Sequence, residues 1–191
     1  MCAAHCYQRS GVRAVAGAHN IKANEDTQQD IKVDEFIIHE SYNDKTFQND
    51  IAVLKHGAFS GNKNVAPIAM ASYRGGEWMK NNDEVRICGW GNTKYPGSSY
   101  PDKLNCVNVK YITVDDCNAR NKYNGIILKG MFCAGVNGGG MDACQGDSGG
   151  PVTQGKKLVG VVSWGYGCAQ AQYPGVYSDV AQYRDWIDPK M

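Results

Sequence analysis

Gly146-Asp-Ser-Gly-Gly-Pro-Val-Thr-Gln-Gly-Lys-Lys-Leu-Val-Gly-Val-Val-Ser-Trp164 carries two statements that decide how the chain is read. Its second half, Leu158, Val159, Val161 and Val162, is a short apolar run rich in β-branched residues, the pattern of a strand buried on both faces. Its first half sets a serine among glycines. Glycine lets a backbone approach a substrate closely, so Ser148 is a candidate nucleophile. An ordinary glycine-rich turn is the competing reading, and the motif by itself does not separate the two.

Outward from this stretch, further short runs read as strands: Val12 to Val15, Ile31 to His39, Ile51 to Lys55, Glu84 to Trp90, Leu104 to Thr113 and Gly175 to Val180. Ile31 and Val33 alternate with Lys32 and Asp34, the two-residue period of a half-buried strand. Asn62 to Asn64, Gly97 to Ser99 and Gly138 to Gly140 are loops. Only the end looks helical: Val180, Tyr183, Arg184 and Ile187 recur at helical spacing with Trp186 beside them, and Pro189 stops the run. Many short strands and one terminal helix predict an all-β fold, an antiparallel barrel or a pair of them. The stretch from Tyr95 to Pro101 is a candidate junction, giving approximate halves 1–95 and 96–191.

The bulk composition narrows the function classes. The chain has 191 residues, 42% hydrophobic and 20% charged, the balance of a globular domain. A formal net charge of +1 gives no basic face for nucleic acid or an anionic membrane. No apolar run approaches the length of a membrane span, and residues 1–6 lack the basic and apolar segments of a signal peptide. Eight cysteines point to disulfides and an oxidising, extracellular compartment. Cys2, His5 and Cys6 lie close together, but no second ligand pair at zinc-like spacing follows, so neither a metal nor another cofactor is expected.

A serine hydroxyl is a weak nucleophile and needs a base, and the base needs an orienting carboxylate. His19, His39 and His56 have polar or mixed neighbours and read as solvated or strand-end residues. His5 lies between Ala4 and Cys6, where a disulfide could pin its backbone. Asp50 stands at the entrance to the apolar run Ile51-Ala-Val-Leu54. A carboxylate there must find a partner or act as a turn cap.

Ala3-Ala-His-Cys6, Asn49-Asp-Ile-Ala-Val-Leu54 and Gly146-Asp-Ser-Gly-Gly-Pro151 occur in the order His, Asp, Ser, and in these contexts they resemble the chymotrypsin family. Cys88-Gly-Trp-Gly91, Met131-Phe-Cys-Ala-Gly135, Val162-Ser-Trp-Gly165 and Pro174-Gly-Val-Tyr177 extend the resemblance along essentially the whole chain, which looks most like the trypsin-like members. The resemblance implies two antiparallel β-barrels with a C-terminal helix, the first barrel here incomplete. It implies a triad of His5, Asp50 and Ser148, and an oxyanion hole made by the N–H groups of Gly146 and Ser148. Asp142, six residues before Ser148, matches the acidic floor of a pocket for Arg or Lys. Gly165 and Gly175 match its open walls, and Ser163 and Trp164 match the strand that pairs with substrate. The implied partners are protein or peptide substrates and protein protease inhibitors. A non-catalytic homologue acting as a binding or decoy protein is the alternative.

The resemblance also sets expectations where the chain departs from it. The family domain begins upstream of the point where this chain begins, so the opening strands and the activation segment are expected to be absent. Asp147 matches the residue that pairs with the freed N-terminal amine, and without that amine the 191-residue chain is expected to be nearly inactive, with Asp147 turned outward or mobile. Cys117–Cys133 and Cys144–Cys168 match family disulfides. Cys6, Cys88 and Cys106 match positions whose partners are missing, and Cys2 stands where the family usually has a hydroxyl or a small residue. Ala18 and Gln28 stand where calcium-binding relatives carry glutamates, so no calcium site of that type is expected, with Glu25 or Asp26 as substitutes in another geometry.

Overall fold

The computed structural model describes residues 1–72, 79–119 and 121–191. Three antiparallel strands form a first sheet in the order β1 (Arg13–Ala16), β2 (Gln29–Ile38) and β3 (Ala52–His56). The alternation read in β2 is real: Ile31 is half-buried and Val33 buried, while Lys32 and Asp34 are exposed. A bulge between Val33 and Glu35 then shifts the register, so the period does not run to the end of the strand.

A two-residue strand, β4 (Ala69–Met70), precedes the strands of the second sheet. These are β5 (Glu84–Gly89), β6 (Asn105–Ile112), β7 (Met131–Gly135), β8 (Pro151–Gln154), β9 (Lys157–Trp164) and β10 (Gly175–Asp179). Their order is β10-β7-β6-β5-β8-β9, and β9 pairs again with β10, which closes a six-stranded antiparallel barrel. Closure satisfies the edges that an open sheet would leave unpaired. Strand β4 lies parallel to β9 on its outside. Strand β5, counted with the first half on sequence grounds, hydrogen-bonds to β6 and β8 and so belongs to the barrel.

Strand β9 shows why its residues are apolar without alternation. Val159 and Val162 pack inside the barrel with Val85, Val109, Phe132 and Tyr177. Leu158 and Val161 pack on its other face with Ala3, Ile51, Val53 and Ile187. The strand is the wall between two cores, one inside the barrel and one between the sheets.

Three disulfides form among the described residues. Cys117–Cys133 and Cys144–Cys168 are the expected pairs. The third corrects the sequence reading: Cys88 and Cys106, each expected to lack its partner, are bonded to each other. They stand directly opposite on β5 and β6, a register that only the folded sheet sets. The C-terminal helix is shorter than the spacing suggests. Residues 180–183 are turns, and a helix covers only Arg184–Ile187. Pro189 sits inside a following 3-10 turn, Asp188–Lys190. The Asp179 carboxylate accepts the Ala181 N–H at 3.0 Å, offering the backbone a turn where the helix would begin. The sequence reading does not contain a second one-turn helix, Val114–Cys117. Its N-cap Thr113 accepts the Asp116 N–H at 3.2 Å.

Candidate active site

His5 sits on a single 3-10 turn, Ala4–Cys6, and Asp50 on the approach to β3. Asp50 is fully buried, so each of its oxygens needs a donor. Oδ1 accepts the His5 backbone N–H at 2.9 Å, and Oδ2 lies 2.7 Å from His5 Nδ1. The hydroxyl of Ser163, on β9, donates to the same Oδ2 at 2.5 Å. From β10 the Ser178 hydroxyl donates to the Asp50 backbone carbonyl at 2.6 Å. Asp50 is therefore gripped by the His5 turn on one side and by the barrel on the other. It fixes the backbone and the ring of His5 together, and the hydrogen bond it accepts is the main reason the His5 pKa is raised. The Phe47 ring packs edge-on against His5, with ring centroids 5.7 Å apart.

Ser148 lines the same cleft as His5, a cavity of about 230 Å³ that also includes Phe47, Asp142, Trp164 and Gly175. Around Ser148 the backbone donors divide into two sets. The N–H groups of Asp147, Gly149 and Gly150 are taken by the Cys144, Val162 and Asp147 carbonyls. Those of Gly146 and Ser148 have no acceptor among the described residues. Two unspent donors beside a serine hydroxyl are what an oxyanion requires.

Asp142 lies in the same cleft, with its carboxylate against Gly175: a Cβ added there would meet its Oδ1 at 2.5 Å, so only glycine leaves the room. It accepts the Ala143 N–H at 2.8 Å, the Ala169 N–H at 3.1 Å and the Tyr177 hydroxyl at 3.1 Å. Burial dominates these donors and pushes its pKa up to about 6. Among the described residues it has no cationic partner. Gly165 lines the cleft and is open, with nothing nearer than 3.6 Å to an added Cβ.

Asp147 corrects an expectation. Its carboxylate is not turned outward. Oδ1 accepts the Gly91 N–H at 2.8 Å and Oδ2 the Cys144 N–H at 3.0 Å. It fits so closely under Gly91 that an added Cβ would overlap it, which explains the second glycine of the Cys88–Gly91 motif. Glu25 is also committed. It accepts the N–H groups of His19 and Asn20 at 2.6 and 3.0 Å, stitching the loop between β1 and β2. The other histidines lie elsewhere: His39 packs against Tyr183 and Trp186, and His19 and His56 are exposed.

Sequence reasoning misses how several of these residues act. It places Ser163 only in a substrate-pairing strand, yet the side chain supports Asp50 from 113 residues away. Tyr177 and Ala169, which hold Asp142, are 35 and 27 residues from it. No local pattern marks such long-range donors; the Val162–Gly165 and Pro174–Tyr177 motifs draw attention to Ser163 and Tyr177, but not to what their hydroxyls hold.

The comparisons with known proteins agree along the chain. The trypsin family model matches residues 1–187. A trypsin of Xenopus laevis is 45% identical over 188 residues, covering 97% of this chain and 73% of its own length. Trypsin-3 of Salmo salar is 44% identical over 190 residues, covering 99% of this chain and 77% of itself. A trypsin of Sus scrofa is 42% identical over 186 residues, covering 97% and 78%. With a matching family model over nearly its full length and relatives this similar, the chain belongs to the trypsin family of serine proteases.

Proposed function

We propose that this protein hydrolyses peptide bonds after Arg and Lys, using Ser148, His5 and Asp50, and that it works outside the cell on protein or peptide substrates. The observation that carries the specificity is Asp142: a carboxylate with no cationic partner among the described residues, in the cleft that Ser148 and His5 share. A guanidinium or ammonium group entering the slot supplies the missing charge, whereas a neutral side chain leaves the carboxylate uncompensated.

The steps follow from the donors and acceptors. Ser148 Oγ attacks the scissile carbonyl while His5 Nε2 takes its proton. The carbonyl oxygen becomes an oxyanion and accepts the N–H groups of Gly146 and Ser148, each worth about 3–4 kcal/mol to the transition state. Asp50 keeps the Nδ1 proton of His5 in place and stabilises the imidazolium. His5 then protonates the leaving amine. Water, activated by the same ring, attacks the acyl-enzyme and regenerates Ser148.

Peptide-library profiling tests this reading, with Arg and Lys expected before the cut. Ser148→Ala should abolish turnover and still bind a benzamidine-like cation. A preference for Phe, Tyr or small residues overturns the specificity. The second reading, a binding protein with little turnover, is favoured by one feature: Asp147 has neutral donors and no ion pair among the described residues. A fluorophosphonate probe decides between them. Stoichiometric labelling of Ser148 supports the enzyme, and an unlabelled protein that still binds the cation supports the binding protein.

A further inference from the structure

The Asp50 carboxylate is held by His5 and Ser163, but its direction also depends on the backbone one residue earlier. Asp50 is the middle residue of a tight turn, in which the Ile51 N–H donates to the Asn49 carbonyl at 2.8 Å. Asn49 enters that turn at φ +57°, in the left-handed region, which disfavours residues with a Cβ and is visited by Asn only with local support. Such a conformation persists where the surroundings fix it. If Asn49 relaxed, the peptide that carries Asp50 would swing, and the carboxylate with it.

Two side-chain bonds fix Asn49. Its Nδ2 donates to the Ser41 carbonyl at 2.8 Å, which settles the orientation of the amide, because a carbonyl only accepts. Its Oδ1 therefore faces the other way and accepts the Tyr183 hydroxyl at 3.0 Å, 134 residues along the chain. Tyr183 is buried at the start of the terminal helix, with the His39 ring edge-on to its own at 5.5 Å. The hydroxyl has room because residue 130 is glycine: a Cβ there would overlap it. Burial, then the nearby charge of Asp179, pushes the Tyr183 pKa up to about 12, so the hydroxyl keeps its proton and donates it well above neutral pH. From the same C-terminal segment, the Ser178 hydroxyl holds the Asp50 carbonyl at 2.6 Å. The backbone on both sides of Asp50 is thus gripped from one stretch of chain.

We propose that Tyr183 is a positioning residue for the Asp50–His5 pair, acting through the side chain of Asn49. Tyr183 does not line the cleft of His5 and Ser148. Its hydroxyl holds Asn49 in the left-handed turn, Asn49 aims Asp50, and Asp50 aims the His5 ring. The closing of the C-terminal segment over the barrel therefore sets the alignment of two residues near the other end of the chain. That this alters turnover rests on His5 being the general base; the aim of Asp50 at His5 does not.

Tyr183→Phe removes one oxygen and keeps the ring in its core. The midpoint of the His5 ring C–H resonance, titrated by NMR without substrate, should fall by roughly 0.3–0.5 pH unit, because a misaligned Asp50 favours the imidazolium less. On an arginine amide, kcat should fall about tenfold while KM changes by less than about twofold. Asn49→Gly leaves the left-handed turn accessible and removes both side-chain bonds. In that background Tyr183→Phe should move the midpoint by less than about 0.1 pH unit and kcat by less than about twofold, since the route is already cut. A lower melting temperature with the parent's midpoint and kcat overturns the role, because a merely structural hydroxyl would do that much. An equal loss with and without Asn49 overturns the route through it. If a fluorophosphonate probe leaves Ser148 unlabelled while the midpoint still falls in Tyr183→Phe, the protein is no hydrolase and the positioning role stands.

Discussion

Replacing Asp142 by asparagine should separate the demands of specificity from those of stability. The change keeps the shape of the side chain and removes its charge. For a substrate with Arg before the cut, the lost attraction is that of a unit pair at about 4 Å in a partly screened site, roughly 4 kcal/mol. Expressed as kcat/KM, that is a fall of about 10³-fold. A substrate with Leu in that position has no charge to lose and should change by less than about tenfold. Stability should move the other way. Burial raises the Asp142 pKa from 3.8 to about 6, so between those values the native state holds a proton that the unfolded chain has released. Stability from this group is therefore highest in acid and is lost as pH rises from about 4 to about 6. At pH 7.5 the ionised carboxylate is a burden of order 1–3 kcal/mol, a net figure that already includes its three donors. Asp142→Asn relieves it, and although the amide NH2 must stand where Oδ2 accepts the Ala169 N–H, the Tm at pH 7.5 should not fall by more than a few degrees. The assays are kcat/KM on Arg, Lys and Leu amides and a thermal melt of each variant at pH 4 and 7.5. Equal losses on Arg and Leu substrates, or a variant that melts well below the parent at pH 7.5, would refute the reasoning.

Other measurements probe neighbouring groups. Binding of benzamidinium should weaken as pH falls through about 6, where Asp142 takes up its proton; a flat affinity from pH 5 to 7.5 contradicts the charge role. Ser163→Ala takes a donor from the buried Asp50 carboxylate and should cost about 1.5–3 kcal/mol in stability, read by urea denaturation; a change under about 0.5 kcal/mol means the bond carries little. The acid limb of kcat/KM should lie above the ordinary histidine value, because Asp50 raises the His5 pKa, and Asp50→Asn should move that limb to lower pH. Non-reducing peptide maps should show Cys88–Cys106, Cys117–Cys133 and Cys144–Cys168, and removing the second of these should cost roughly 3 kcal/mol. Millimolar calcium should leave the melting temperature within about a degree, since the Glu25 carboxylate is spent on backbone amides; a rise of several degrees contradicts this.

Motif context tells more than periodicity here. The alternating residues of β2 and the apolar run of β9 are legible as strands because their burial follows from local pattern. Pro151–Gln154 and Met131–Gly135 are not. The first is four residues long, and the second is buried throughout, so neither shows a two-residue period. Spacing overextends the terminal helix because Asp179 diverts the backbone into turns, an effect that spacing alone does not reveal.

The residues in order are enough to establish an all-β protein carrying three serine-protease motifs, because those motifs are local and each residue type is chemically restricted where it stands. Folding decided the rest. The Cys88–Cys106 bond exists because antiparallel register sets the two residues opposite each other. The grip of Ser163 and Ser178 on Asp50 and the inward anchoring of Asp147 by Gly91 depend on donors 113, 128 and 56 residues away. A buried polar atom must be satisfied by whatever the fold brings near, and that neighbour is fixed by the closing of the barrel and the packing of the sheets, not by its place along the chain.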